Sequence, residues 1–284
     1  MLIRPALPSD SSAILNWRND AHSRSMFANG AFVESSEHDR WYKRALSGVD
    51  TFIFIAEQGE EQLGVCRFDI SESDKSAEVS INLNPLHRGK GLSRDILERS
   101  ILQFLSEHPI QLTAKVKKSN NASLRIFHQS GFLNDCTDRS YVNLKLPINS
   151  LKFEPVNENH SFILYYLLKQ REYKISHTTL PTFEDHESFV LNHPYRYWYL
   201  VSREKPIGTL YIQNDNSVGL NLQPICASEL KEIDDFVNKR HTALPPIRSV
   251  RRGNFHIQVS PGNSELIRLM DLLGKPLIQH SFGI

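Results

Sequence analysis

The feature that most constrains the fold is an internal repeat with an offset of about half the chain. Four residues recur at a constant offset of 143, pairing Val116 with Val259, Asn120 with Asn263, Arg125 with Arg268 and Gly131 with Gly274. Three upstream segments match in the same order at offsets of 139 to 148, pairing 81–85 with 220–224, 63–64 with 207–208, and 37–41 with 185–189. Loop insertions shift an offset but keep the order, so we interpret the sequence as a tandem duplication.

The duplication predicts two domains of similar fold. A length of 284 residues fits two domains of ordinary size better than one. The predicted boundary lies in the segment 147–150, which gives domains of residues 1–148 and 149–284.

Charge and composition exclude several classes of partner. Thirty-three Lys and Arg residues against 32 Asp and Glu give a net charge of +1, so the chain has no global field for nucleic acid or an anionic membrane. The start at 1–5 lacks the apolar core of a signal peptide, and apolar runs such as 52–56 are far shorter than a membrane span. We therefore expect a cytoplasmic protein that binds neither nucleic acid nor membrane.

Cysteine and histidine spacing argues against disulfide and metal sites. The three cysteines form no CxxC pair and no disulfide framework, and we expect buried thiols in a reducing compartment; they are Cys66, Cys136 and Cys226. None of the twelve histidines occurs in a motif such as HExxH, so no metal is assigned.

The first repeat alternates strands with helices. Period-two alternation predicts a strand over Ser76–Leu83, and apolar periodicity predicts a helix over Ser93–Ser106. Further strands are predicted at 2–4, 51–57, 63–70, 112–116 and 140–146, and further helices at 13–17, 36–46 (with 35–38 as its N-cap cluster) and 121–130. This succession predicts an α/β (α+β) fold with a mixed, mostly antiparallel sheet and helices on both faces.

The loop between the strand at 76–83 and the next helix is a candidate anion site. It reads Arg88-Gly89-Lys90-Gly91-Leu92-Ser93. Free N–H groups and the dipole at a helix start attract negative charge, glycines allow positive φ, and Ser93 can cap the helix. The spacing is neither that of a Walker A loop nor that of a dinucleotide-binding loop.

Two linked motifs make the first half resemble the GNAT superfamily of N-acetyltransferases. Arg88-x-x-Gly91-x-Ser93 matches the family's acetyl-CoA loop, [Gln/Arg]-x-x-Gly-x-[Gly/Ala], except that Ser stands at the last position. Asn120-x-x-Ser123, followed by Phe132 after a helix, matches the second family element. The resemblance covers residues 2–146 and implies acetyl-CoA as cofactor in a sheet splayed at the acetyl-CoA strand.

The resemblance assigns cofactor roles along this segment. Loop N–H groups would bind the pyrophosphate, backbone groups of the splayed strand would hold the pantetheine arm, and the helix after Asn120 would form a wall. The implied cofactor-binding residues are Leu83, Asn84, Arg88, Gly89, Lys90, Gly91, Leu92, Ser93, Asn120, Ser123 and Phe127.

Glu78 is the candidate general base for direct attack of an amine on the thioester, with a water as relay. A solvent-exposed strand carboxylate is the alternative. Many relatives carry a Tyr at the position of Phe127 that protonates the leaving thiolate, and Phe cannot donate a proton. The general acid is therefore open, with solvent or another donor such as His128 as candidates.

The acceptor region contains the segments Trp17-Arg18-Asn19-Asp20, Met26-Phe27 and Glu37-His38-x-x-Trp41-Tyr42. These segments resemble the N-terminal region of the bacterial amino-sugar nucleotide N-acetyltransferases of pseudaminic-acid-type biosynthesis. That resemblance implies a small-molecule substrate and acetylation of the 4-amino group of a nucleotide-linked deoxy-amino-sugar; a homodimer is a separate possibility. Its substrate-binding candidates are Arg18, Asn19, Met26, His38, Trp41 and Tyr42. The alternatives are a ribosomal-type protein N-terminal acetyltransferase, and a non-catalytic CoA-binding protein.

The second repeat lacks the loop. Pro224 is followed by Ile-Cys-Ala-Ser-Glu-Leu-Lys, with no glycine to admit a pyrophosphate. Leu266 and Met270 stand where Ser123 and Phe127 stand in the first repeat. We expect residues 149–284 to form a degenerate GNAT-like domain without the pyrophosphate loop. Three roles are open: it binds a sugar nucleotide, it closes over the acceptor of the first half, or it provides packing and dimer surface.

Overall fold

A computed structural model describes residues 1–27, 29–148, 151–171 and 180–278. The chain divides into unit 1, Met1–Ile148, and unit 2, Asn149–Ile284. In the described residues, unit 1 is built on a seven-stranded sheet and unit 2 on a five-stranded sheet.

Unit 1 carries the sheet order β1-β2-β3-β4-β5-β7-β6. Its strands are β1 (Leu2–Pro5), β2 (Thr51–Gln58), β3 (Glu61–Ser71), β4 (Ser76–Leu83), β5 (Gln111–Lys117), β6 (Leu133–Thr137) and β7 (Tyr141–Leu146). Its helices are α1 (Ser11–Asn19), α2 (Ala21–Met26), α3 (Ser35–Ser47), α4 (Leu92–Glu107) and α5 (Asn121–Gln129). Neighbouring strands are antiparallel except β4 and β5, which are parallel, so the predicted mixed sheet is confirmed.

Side-chain alternation on the central strands distributes the core to both faces of this sheet. Ile53 and Ile55 of β2 pack with Trp17 of α1 on one face. On the other face, Phe68 of β3 stacks on Phe104 of α4 with ring centroids 4.3 Å apart. Helices therefore flank both faces, as the sequence pattern predicts.

The parallel pair β4 and β5 separates along its length. Ladder pairing joins only Ser76–Glu78 to Gln111–Thr113, although β4 continues to Leu83 and β5 to Lys117. The two strands thus diverge after Glu78, which is the splay that the fold class predicts.

Unit 2 has the sheet order β12-β11-β10-β9-β8, again with one parallel pair, β11 and β12. Its strands are β8 (Lys152–Pro155), β9 (Tyr197–Ser202), β10 (Pro206–Ile212), β11 (Ser217–Leu222) and β12 (His256–Gln258). Its helices are α6 (Ser161–Lys169), α7 (Phe183–Leu191), α8 (Ala227–Arg240) and α9 (Ser264–Leu272). In the described residues this is the order of β1 to α5 with α2 left out.

Several local expectations are wrong. Helix α2 and strand β6 were not expected. The N-cap of α3 is Glu34, without a side-chain hydrogen bond, so Ser35 and Ser36 do not cap it. Cys66 and Cys226 are buried as expected, but Cys136 is exposed, because it lies on β6 at the edge of the sheet.

Candidate active site

A cavity of about 1290 Å³ opens in unit 1 where β4 and β5 diverge. Its walls come from α1, α2, α3, the middle strands, the loop before α4, and the first turns of α5. It brings together the predicted residues Arg18, Met26, His38, Trp41, Glu78, Leu83, Arg88, Gly89, Ser93, Asn120, Ser123 and Phe127.

The loop before α4 has the backbone that its glycines predict. Gly89 and Gly91 have φ of 75° and 76°, in the left-handed region that favours glycine. Gly91 is the N-cap of α4, and it supplies no side chain to cap the helix. Ser93 does not cap the helix, contrary to expectation, but it lines the cavity.

Other loop side chains point elsewhere. Lys90 Nζ contacts His87 Nδ1 at 3.2 Å, and Leu92 packs on the buried cluster around Ile96. Lys90, Gly91 and Leu92 are not among the residues that line the cavity. The contacts predicted between these three residues and a cofactor stay predictions.

The Arg88 guanidinium is hydrogen-bonded within the protein. Its Nη1 donates to Asp20 Oδ2 and its Nη2 to Ser23 Oγ, both at 2.7 Å. Asp20 is the N-cap of α2 and accepts the Ser23 N–H as well. The pKa of the Asp20 carboxyl is held low, first by that N–H and then by Arg88. The contact predicted between Arg88 and a pyrophosphate stays a prediction.

Strand β4 directs backbone groups into the splay at Leu83 but not at Asn84. The Asn84 N–H donates to the Leu63 carbonyl at 2.9 Å. Because bonded and non-bonded pairs alternate along an antiparallel ladder, the backbone groups of Leu83 face the β5 side. The Asn84 side chain accepts from the Leu86 N–H and donates to the Gln62 carbonyl. The backbone N–H of Asn84 and both polar atoms of its side chain therefore have hydrogen-bond partners within the protein.

Helix α5 begins at the cavity. Asn120 caps it by accepting the Ser123 N–H at 3.1 Å. Phe127 is 3% exposed and packs edge-to-face on Phe132. His128 Nδ1 contacts the Phe132 carbonyl at 2.9 Å, and His128 is not among the cavity-lining residues, which argues against it as a proton donor there.

Glu78 stands at the last paired position before the strands part. Its side chain is open to the cavity, yet the surrounding walls desolvate it, and this raises its pKa above the usual glutamate range. Asp69, directly opposite on β3, raises the pKa further, while Arg67 and Lys115 lower it. A carboxylate with a raised pKa is a better proton acceptor near neutral pH than an ordinary one.

Two of the expected acceptor residues do not reach the cavity. Tyr42 is 2% exposed, packs in the core with Trp17, and donates its hydroxyl to the Leu7 carbonyl at 2.7 Å. Asn19 exchanges hydrogen bonds with the backbone N–H and carbonyl of Val33. His38 is buried in the wall, stacked on Tyr42, and burial lowers its pKa.

The structure adds residues that sequence reasoning missed. Arg67, Lys115, Lys117 and Tyr141 line the cavity from the middle strands. The ladder registers place them on the same face of the sheet as Glu78. The available signal was period-two spacing, since Lys115 and Lys117 alternate with buried residues along β5.

Metal and membrane features are absent from the described part of the chain. Within residues 1–27, 29–148, 151–171 and 180–278, no three His, Cys, Asp or Glu side chains gather closely enough to hold a metal ion. Every helix in these ranges is too short or too polar to cross a bilayer.

Comparison with known proteins decides the family. The family described as acetyltransferase (GNAT) domain matches residues 1–133. The L-methionine sulfoximine/L-methionine sulfone acetyltransferase of Salmonella typhimurium is 30% identical over 139 residues, which cover 46% of this chain and 80% of that protein. The chain belongs to the GNAT acetyltransferase family. It is accordingly an acyl-CoA-dependent N-acetyltransferase that uses acetyl-CoA.

Solved structures of acetyltransferases also resemble half of this GNAT chain. The spermidine N-acetyltransferase of Vibrio cholerae in complex with CoA and spermine has a TM-score of 0.47 at 18% identity, covering 51% of this chain and 94% of that one. The ribosomal-protein-alanine N-acetyltransferase of Brucella melitensis has a TM-score of 0.45 at 22% identity, covering 51% and 98%.

Proposed function

We propose that unit 1 of this GNAT protein acetylates the primary amine of an anionic small molecule, and that this acceptor is a nucleotide-linked amino-sugar. One observation carries the proposal: a single cavity joins Glu78, the open start of α4 and the cap of α5. When the acceptor amine and the thioester bind in one cavity, the amine can attack the thioester directly, without a covalent enzyme intermediate.

The start of α4 fits the diphosphate of acetyl-CoA, which supplies the acetyl thioester when bound. Two glycines at positive φ and an N-cap without a side chain leave the N–H groups of Gly89 to Ser93 free to bind oxygen atoms. The backbone of Leu83 would polarise the thioester carbonyl, and Asn120, Ser123 and Phe127 would form the wall of the groove.

Glu78 would accept the proton of the attacking amine, directly or through a water. Phe127 cannot protonate the thiolate. Tyr141 lines the same cavity and carries a hydroxyl, with the Lys115 ammonium 4.8 Å from its ring centre. These groups, or water that reaches them, replace the missing donor.

The charge of the cavity favours an anionic acceptor. Its acidic lining residues are Glu37 and Glu78. Its basic lining residues are Arg18, Arg40, Lys43, Arg44, Arg67, Arg88, Lys115 and Lys117. A polyamine or a basic peptide N-terminus would be repelled there, whereas a nucleotide diphosphate would be attracted. Trp41 and Phe27 offer faces for a base or a sugar.

An α-amino acid is the second candidate acceptor. It is favoured by the 30% identity to an acetyltransferase of L-methionine sulfoximine and L-methionine sulfone. The same arginines would bind its carboxylate.

We further infer that unit 2 is a degenerate copy of unit 1. Gly64 and Gly208 lie where an added Cβ would meet the carbonyl of Asn82 or Asn221, on the neighbouring strand in each unit. At the start of α8, however, the Glu229 carboxylate accepts the Cys226 N–H at 2.9 Å and pairs with Arg203. A fixed carboxylate at this helix start would repel a diphosphate, so unit 2 would not bind acetyl-CoA.

Thiol release from acetyl-CoA tests the proposal. The acceptors are a nucleotide-linked amino-sugar, methionine sulfone, spermidine and an Ala-starting peptide, each with wild type, Glu78→Gln and Gly91→Trp. Turnover of the amino-sugar nucleotide that both variants lose supports the proposal. Turnover of the peptide or spermidine alone contradicts it, and acetyl-CoA binding without any turnover identifies a non-catalytic binder.

A further inference from the structure

Arg18 presents a guanidinium to the cavity, and no carboxylate of the described part of the chain pairs with it. Its Cζ lies 4.4 Å from the ring centre of Phe27, and Nη2 donates to the Asn29 carbonyl. Nη1 is buried and has no hydrogen-bond partner among the described residues. A buried N–H of a charged group without a partner is costly, which indicates that a ligand completes it.

Arg67 approaches the same cavity from β3. Its Cζ lies 5.4 Å from the ring centre of Trp41. Its Nε is 2.8 Å from the Asp69 carboxylate, but the N–H bond is not directed at that oxygen, so the contact is an ion pair rather than a hydrogen bond. The other oxygen of Asp69 accepts a hydrogen bond from Thr51, so the ion pair engages Arg67 through Nε, and both groups stay near the cavity.

Like charges gather at this end of the cavity. Burial, Arg67 and Arg24 all lower the pKa of the Arg18 guanidinium. Arg24 lies over a further ring, Phe32, at 5.9 Å. Folding positively charged groups together costs free energy that an anion bound between them would recover.

We propose that Arg18 and Arg67 form a subsite for an oxyanion of the acceptor, a phosphate or a carboxylate, while its amine lies at Glu78. The inference rests on the proposed function and assigns the residues that select the acceptor. Each guanidinium is a planar fork that can bind two oxygens, and the ring beneath it fixes its orientation.

Strand register sets the spacing between anion and amine. Asp69 is paired with Glu78 across β3 and β4, and Arg67 is paired with Ser80. Arg67 is therefore the diagonal neighbour of Glu78 on one face, about 7 Å away between Cα atoms. An acceptor whose oxyanion is held at Arg67 therefore has its amine within reach of the Glu78 carboxylate.

Matched acceptors test the subsite. The nucleotide-linked amino-sugar is compared with the same amino-sugar without its nucleotide, in wild type, Arg18→Met and Arg67→Met. Because Arg67 also lowers the pKa of Glu78, both sugars are assayed on the plateau of each variant's pH profile. There each variant should lower kcat/KM for the linked sugar roughly 10- to 100-fold more than for the unlinked sugar, as expected for hydrogen bonds to charged groups. Arg139→Met, at an exposed turn, is the control and should change neither value. Equal losses for both sugars would overturn the proposal.

A binding measurement separates this inference from the proposed function. UDP is titrated by calorimetry into protein saturated with CoA, so that the start of α4 is already filled. Wild type should bind UDP, and Arg18→Met and Arg67→Met should weaken the binding at least 10-fold, even if no acceptor is turned over. UDP binding that is unchanged in both variants refutes a phosphate subsite.

A further comparison tests whether the oxyanion is a carboxylate. If the variants lower kcat/KM for methionine sulfone but leave UDP binding and the linked sugar unchanged, the oxyanion is a carboxylate. Arg18→Lys and Arg67→Lys control for misfolding. Lysine keeps the positive charge but lacks the planar guanidinium that binds two oxygens, so the losses of kcat/KM and of UDP binding should lie between those of wild type and the Met variants.

Discussion

The Arg88 guanidinium donates to the Asp20 carboxylate over 2.7 Å, although 68 residues separate the two in sequence. The pair fastens the loop before α4 to the first turn of α2. The loop holds the open N–H groups, and α2 carries His22 and Met26 of the cavity wall. One half-buried ion pair therefore couples the two ends of the proposed site.

Arg88→Met should weaken acetyl-CoA binding, because it removes the ion pair to Asp20. Loss of the pair frees the loop, so the KM for acetyl-CoA should rise roughly 10-fold, and the unfolding free energy should fall by about 1 kcal/mol. Initial rates and urea unfolding measure the two effects.

Asp20→Asn is the matched control for that variant. Asn is as good an N-cap as Asp, so α2 keeps its start while the charge of the pair is lost. The double variant should then be no worse than Arg88→Met. Additive losses would show that the two residues act separately.

Glu78→Gln should remove activity and, above the pKa of Glu78, stabilise the fold. The folded state raises this pKa, so the carboxylate binds a proton more readily when folded, and stability falls as pH rises through the shifted pKa. Glu78→Gln has no carboxylate at this position, so it does not lose stability in this way as pH rises. Thermal melts measure the difference in Tm between Glu78→Gln and wild type. This difference should increase in favour of the variant from pH 4 to pH 8. A Tm deficit at high pH would mean that the charged form is stabilising.

Lys115→Met and Asp69→Asn should move the acid limb of the kcat/KM profile in opposite directions. Lys115 lowers the pKa of Glu78 and Asp69 raises it, so removal of the lysine shifts the midpoint to higher pH and neutralisation of the aspartate shifts it to lower pH. Profiles measured between pH 5 and 9 decide this. Shifts of the same sign would exclude Glu78 as the titrating group.

Local patterns predicted most elements of unit 1. Alternating apolar residues gave β4 with the bounds that the structure has, and apolar periodicity gave α4 within one residue at each end. Strand β6 was missed because all its residues are exposed and most are polar, with no apolar alternation; it is a strand through its pairing with β7. The start of α2 did have a signal, since Asp20 stands one residue before it and caps it.

Long-range contacts explain the errors in the site. Trp41 and Tyr42 are adjacent on α3, and only the hydrogen bond from Tyr42 to Leu7, 35 residues away, shows which of them enters the core. The residues next to Arg88 in sequence likewise did not indicate its partner, Asp20, which lies 68 residues away. The motif residues with backbone roles, Gly89 and Gly91, were correctly predicted to allow positive φ because that preference is local.

Gly208→Ala should destabilise the protein more than Gly64→Ala. A Cβ at Gly208 would lie 2.0 Å from the Asn221 carbonyl oxygen, and φ there is 149°, whereas at Gly64 the nearest backbone oxygen is 2.9 Å away. We expect a loss of about 3 kcal/mol at Gly208 and about half of that at Gly64. Urea unfolding measures both, and the reverse order would contradict the packing.

Calorimetry should give one acetyl-CoA site per chain. In unit 1 the N-cap of α4 is Gly91, without a side chain, while in unit 2 the start of α8 is closed by Glu229, which is itself held by Arg203. Gly91→Trp forces a bulky side chain onto a backbone at φ 76° and should abolish all binding. Glu229→Gln removes the repelling charge. The loop before α8 still has no glycine that would let a diphosphate approach its backbone, so the stoichiometry should stay at one. A second site in wild type, or binding that survives in Gly91→Trp, would place a functional cofactor site in unit 2.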